Sequence, residues 1–162
     1  MVRSTLPKKT KEKERRLVNN SKQYVESYVL LSKGQKQYEV LKKFASLAEE
    51  FSSANVKESR LIAKTFKSKE RECFMNCAVV AKIVPHLEYY EGWACPFIPV
   101  RHAWLVNKEG EVIDPTYCLV NKELNFDYFG MRIPKDKIKL SSIEPTWLPI
   151  VESQLKRKRL YE

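Results

Sequence analysis

Three segments, Glu72-Cys73-Phe74-Met75-Asn76-Cys77, Arg101-His102-Ala103-Trp104 and Ile113-Asp114-Pro115-Thr116, follow one another inside residues 72–130. They supply a thiol, an imidazole and a carboxylate. The thiolate is the reactive form of cysteine, and a histidine that takes the thiol proton keeps that form available. A carboxylate on the far ring nitrogen orients the imidazole and stabilises the imidazolium. Cys73 falls in the first turns of a helix expected over 69–85, with Ser68 as N-cap and Pro85 as stop. A helix N-terminus favours nearby negative charge and so lowers the pKa of a thiol placed there.

The spacing of His102 and Asp114 is a register question. Residues 98–107 read as a strand, and 111–114 start the next one. Between them, Asn107-Lys108-Glu109-Gly110 reads as a type I turn closed by a left-handed glycine. A three-residue loop, 108–110, sets 107 opposite 111, His102 opposite Thr116 and Trp104 opposite Asp114. His102 and Asp114 then share a face on a diagonal of about 7–8 Å, which side chains can close. A two-residue loop would shift the register and separate them. Each residue also has a plainer reading: Cys73 as a small core residue, His102 as a satisfied core histidine, Asp114 as a turn residue before proline.

The order of Cys73, Tyr90-Glu91-Gly92, His102-Ala103-Trp104 and Asp114-Pro115-Thr116 resembles the core of the transglutaminase-like superfamily, a branch of the papain-like cysteine enzymes. The likeness spans roughly residues 68–135. Tyr128-Phe129-Gly130 adds a similarity to small uncharacterised bacterial and phage proteins with this core. The resemblance implies Cys73 as nucleophile, His102 as base and Asp114 as orienter. It implies acyl transfer on a peptide or amide, by hydrolysis or deamidation before transamidation, with no cofactor and no metal. Asn76, Tyr90, Trp104 and Tyr128 are the candidate substrate-binding residues. The glycine-rich approach common before such a cysteine is replaced here by Lys67-Ser68-Lys69-Glu70-Arg71-Glu72.

The expected fold class is α+β, a helical N-terminal half packed on a small antiparallel sheet, with the nucleophile at a helix N-terminus. Helices are expected over 15–32, capped by Gly34, over 35–51 and over 56–66. The second carries Val40, Phe44, Leu47 and Phe51 on one stripe, and the third buries Leu61, Ile62 and Phe66. Cys77, one turn from Cys73, reads as core or as a resolving thiol. Strands are expected over 87–94 and 127–133, with Gly130 marking a bulge or a close approach. A basic helix is expected over 150–161.

At 162 residues the chain suits a single domain, placed at 17–154 between a basic lead-in, 1–16, and a basic tail, 155–162. The net charge of +10 is concentrated at the ends: +6 over residues 1–23 and +3 over 155–162, leaving +1 between. Such ends can hold nucleic acid or an acidic host protein nonspecifically, and an inactive papain-like binding module is the alternative reading. No apolar run is long enough to span a membrane and no signal peptide is evident, so a cytoplasmic location with four reduced cysteines is expected. A zinc site drawn from Cys73, Cys77, Cys95, Cys118, His86 and His102 lacks the usual paired spacing.

Overall fold

Apolar and aromatic residues on both sides of the Gly110 turn build the centre of the fold. In the computed structural model, which describes residues 20–140 and 145–161, five strands form one antiparallel sheet. They are β1 (Glu49–Phe51), β2 (Glu88–Ala94), β3 (Val100–Val106), β4 (Val112–Ile113) and β5 (Tyr128–Ile133), in the order β1-β5-β2-β3-β4. Five helices accompany them among the described residues: α1 (Ser21–Leu31), α2 (Tyr38–Leu47), α3 (Val56–Phe66), α4 (Cys73–Ile83) and α5 (Trp147–Tyr161). The architecture is α+β.

Both faces of the sheet are buried. Tyr89, Trp93, Ala103, Leu105, Phe129 and Ile133 pack with Phe44 of α2, Cys77 and Val80 of α4, and Trp147 and Val151 of α5. Tyr90, Trp104, Val106 and Tyr128 pack on the other side with Ala63 of α3 and with Leu124 and Phe126. Glu91 lies fully buried on the α4 side, where its carboxylate accepts the Tyr89 hydroxyl at 2.7 Å and the Trp147 backbone N–H at 3.0 Å. A carboxylate at a helix N-terminus satisfies an orphan donor and complements the dipole, so Glu91 anchors α5 to the sheet.

Gly92 and Gly130 stand opposite each other in β2 and β5. A Cβ on Gly130 would collide with the Glu91 carbonyl and lie 2.5 Å from Cη2 of Trp104. A Cβ on Gly92 would collide with the Phe129 carbonyl. The ladder runs through Gly130 without a break, so the glycine marks a close approach and not a bulge.

Several expected boundaries move. The helix expected over 35–51 stops at Leu47, because Ala48 turns extended and Glu49–Phe51 pair with β5. Phe51 therefore leaves the helical stripe and packs against Tyr90, with ring centroids 5.4 Å apart. In α3 the expected burial of Leu61 fails: it is 63% exposed, and Ser59 and Ala63 are buried instead. Helix α1 begins at Ser21, with Asn20 capping the Gln23 N–H; the expected start at 15, and the lead-in 1–16, lie outside the described residues. At the far end, α5 runs unbroken from Trp147 to Tyr161, starting three residues before the helix expected over 150–161, and its residues 156–159 are exposed.

Candidate active site

Cys73 is the first residue of α4. The helix expected from 69 is shorter because residues 69–72 form a turn, with Arg71 in the left-handed region at φ 63. Glu72, and not Ser68, takes the N-cap position, and its side chain makes no cap bond. Cys73 thus sits closer to the positive end of the helix dipole than its sequence neighbourhood indicates. The preceding turn is held by Asn76, which accepts the Lys69 N–H at 3.1 Å and donates to the Lys69 carbonyl at 2.8 Å. A further N–H of Asn76 reaches Thr116 Oγ1 at 2.9 Å.

The hairpin has the expected register. Leu105 pairs with Ile113 and Val106 with Val112, and the Asn107 N–H donates to the Glu111 carbonyl at 3.0 Å. Gly110 adopts φ 77, a left-handed value that a glycine takes without strain. β4 ends at Ile113, one residue before Asp114 and the proline that follows it. Asp114 Oδ1 then accepts the N–H groups of Thr116 at 3.1 Å and Tyr117 at 2.9 Å, a carboxylate-capped turn.

This geometry brings His102 Nε2 to 2.8 Å from Asp114 Oδ2. His102 is 2% exposed and Asp114 is fully buried. Tyr128 donates its hydroxyl to the same Oδ2 at 2.9 Å. Ser59 Oγ accepts the Asp114 N–H at 2.8 Å, and its own hydroxyl donates to the Asn55 carbonyl. Burial pulls the His102 pKa down, but the Asp114 charge and hydrogen bond, helped by Cys73, raise it to about 10. Burial pushes the Asp114 carboxyl up, but the imidazolium and the hydrogen bonds from His102, Tyr117 and Tyr128 hold it below the ordinary carboxylate range. The imidazole lies 4.3 Å from the ring of Tyr117, within the range at which an aromatic ring favours a cation.

Asp114 occupies Nε2, so Nδ1 is the ring nitrogen left for Cys73. Cys73 acts on the ring as a hydrogen-bond partner and as a nearby charge. Cys73 and His102 open together onto a cleft of about 400 Å³, with Glu70, Arg71, Arg101, Thr116 and Tyr117 among its walls. The other cysteines differ. Burial and then the Asp114 charge raise Cys77 well above the ordinary thiol range; its sulfur lies 3.5 Å from the Ala103 carbonyl, a core position. The same causes raise Cys118 to about 11, and burial raises Cys95.

The four candidate substrate residues stand behind the cleft and not in its lining. Tyr128 and Trp104 are fully buried, Asn76 pins the turn before Cys73, and Tyr90 donates its hydroxyl to Glu49 at 2.6 Å. Comparison with protein-family models, curated proteins and solved structures returns no match. Among the described residues, no group of three or more His, Cys, Asp or Glu side chains is placed to hold a metal ion. No helix among them is long and apolar enough to cross a membrane.

Sequence reasoning overlooked Ser59, Tyr117 and the second role of Tyr128. Tyr117 carries a signal in hindsight, because a turn closed by Asp114 returns the chain over the neighbouring strand. Ser59 carries none: a serine on a helix announces burial only once its partner is known.

Proposed function

We propose that this chain is a cysteine-nucleophile acyl-transfer enzyme acting on a peptide or amide, in the manner of the transglutaminase-like branch of the papain-like enzymes. The supporting observation is the buried His102–Asp114 pair at 2.8 Å, whose remaining ring nitrogen meets Cys73 at the start of α4. A histidine that served packing alone would not need a buried carboxylate held by three further hydrogen bonds.

The chemistry follows from the roles. His102 takes the Cys73 proton on Nδ1, and the thiolate attacks the substrate carbonyl carbon. The backbone N–H of Cys73 has no intrahelical acceptor and can donate to the developing oxyanion. The imidazolium passes its proton to the leaving nitrogen as the C–N bond breaks, leaving a thioester on Cys73. Water, deprotonated by His102, attacks the thioester and releases the acid and the thiol. Asp114 keeps Nε2 protonated throughout and balances the ring's charge. Hydrolysis or deamidation uses water as acceptor; an amine in its place would give transamidation.

The test is the rate of iodoacetamide alkylation at each cysteine across pH 4–9, read by peptide mass spectrometry. Cys73 is expected to react fastest of the four cysteines. In His102→Ala that advantage is expected to be lost. If Cys73 reacts no faster than Cys77, Cys95 and Cys118, the reading fails and a noncatalytic binding module takes its place.

A further inference from the structure

A second cavity, of about 500 Å³, adjoins the Cys73 cleft and shares Arg101 with it. Trp93 is the cross-strand partner of Arg101, so the indole and the guanidinium stand side by side at the end of the sheet. Trp147, whose ring lies 6.0 Å from that of Trp93, forms the opposite wall, and Tyr28 and Val40 complete an apolar lining. Two cations, Arg101 and Lys139, stand at this lining. No acidic residue is among the described lining residues, and neither cation makes an ion pair with a described residue.

A cleft of this size with aromatic walls and a few polar groups has the ordinary form of a ligand site. Its charge narrows the occupant. Residues 1–19 carry seven Lys/Arg against two Glu, a composition that is a poor electrostatic match for Arg101 and Lys139. A second copy, at net charge +10, is disfavoured for the same reason.

We infer that this cavity receives a large apolar or aromatic side chain of a peptide whose neighbouring residues are acidic. The same peptide crosses Arg101 to present its carbonyl to Cys73. The substrate class is therefore an acidic segment with an aromatic anchor. The path to Cys73 rests on the acyl-transfer reading; the binding preference does not.

Isothermal titration at low salt, with three acetylated and amidated hexapeptides, separates the two. The first carries Phe flanked by Glu, the second Ala in place of Phe, the third Lys in place of Glu. The first is expected to bind about tenfold or more tighter than either of the others, from burial of the ring and from charge-assisted contacts to Arg101 and Lys139. In the double variant Arg101→Glu with Lys139→Glu, preference is expected to switch to the Lys peptide, a reversal that misfolding cannot produce. Equal affinity of the wild type for the Phe and Ala peptides, or for the Glu and Lys peptides, overturns the inference even if the double variant does not fold. Selective binding with an unreactive Cys73 keeps the peptide site and removes the catalytic reading. A reactive Cys73 without selective binding does the reverse.

Discussion

Asp114→Asn removes one charge and keeps the shape of the side chain. In the wild type Oδ1 accepts two backbone N–H groups and Oδ2 faces His102 Nε2 and the Tyr128 hydroxyl. The asparagine oxygen must stay with the Thr116 and Tyr117 N–H groups, which can only donate. Its NH2 is then turned to His102, which must accept on Nε2. A neutral imidazole that accepts there carries its proton on Nδ1, the nitrogen needed to take the Cys73 proton. On the acyl-transfer reading the variant thus blocks the base by fixing the wrong tautomer, an effect on the order of 10⁴-fold in rate where a triad aspartate is replaced by asparagine. On that reading, alkylation of Cys73 in the variant should slow to the rates of Cys77, Cys95 and Cys118.

The same substitution has a stability signature whose sign is fixed. The folded His102 pKa of about 10 exceeds the ordinary 6.5. At 1.36 kcal/mol per pH unit this is a ceiling of about 5 kcal/mol, in line with the roughly 3–5 kcal/mol for breaking buried pairs. Because the folded value is raised, this stability is fully present below about pH 6.5 and is lost as pH rises toward about 10. Urea denaturation followed by tryptophan fluorescence at pH 6, 8 and 10.5 reads it out. The wild type should lose stability across this range and Asp114→Asn should not. At pH 10.5 the gap should close or reverse, since the wild type then buries a carboxylate beside a neutral ring. Equal slopes in the two proteins, or an unchanged alkylation profile, would refute the reasoning.

Other perturbations test the parts that hold this pair. Tyr128→Phe deletes one hydrogen bond to an ionised carboxylate and should cost about 1.5–3 kcal/mol in urea denaturation at pH 7. Its acid-unfolding midpoint should move to higher pH, because Asp114 loses part of what keeps it ionised. Gly130→Ala drives a methyl into the Glu91 carbonyl and Trp104; about 3 kcal/mol or more should be lost, with a melting temperature that falls accordingly. Lys67 ends α3 in the left-handed region at φ 52, so Lys67→Gly should stabilise by about 0.5–1 kcal/mol, seen as a higher urea midpoint at an unchanged slope.

What was legible in the sequence was local. Asn107 and Gly110 set the hairpin register by turn chemistry alone, and that register is enough to put His102 and Asp114 on one face. The bounds of α3 were equally readable, from the apolar period over 56–66; its cap, Asn55, emerges only in the structure. The misreadings came from contacts distant in sequence. Phe51 continues the stripe of α2 in period, yet the backbone of Tyr128–Gly130 offers Glu49–Phe51 a ladder that no window of α2 contains. Leu61 reads as buried on hydrophobicity, yet it is exposed; Ser59 is inside because it satisfies the Asp114 N–H, a partner fifty-five residues away.

Those distant contacts also bear on whether the His102–Asp114 pair is structural. Burying two charges is costly, and replacing a buried ion pair by apolar residues of similar volume is often neutral or stabilising. A pair that served stability alone would therefore be a poor use of a core position. Here three elements converge on it: α3 through Ser59, β5 through Tyr128, and α4 through Asn76 and Thr116. They fix Asp114 and its turn from three sides, while the ring nitrogen opposite is left toward a thiol on an open cleft. Rigid support on one side and access on the other is the arrangement a positioned base requires. It is also why Tyr128→Phe should be felt at Cys73, although the two side chains lie on opposite sides of the imidazole.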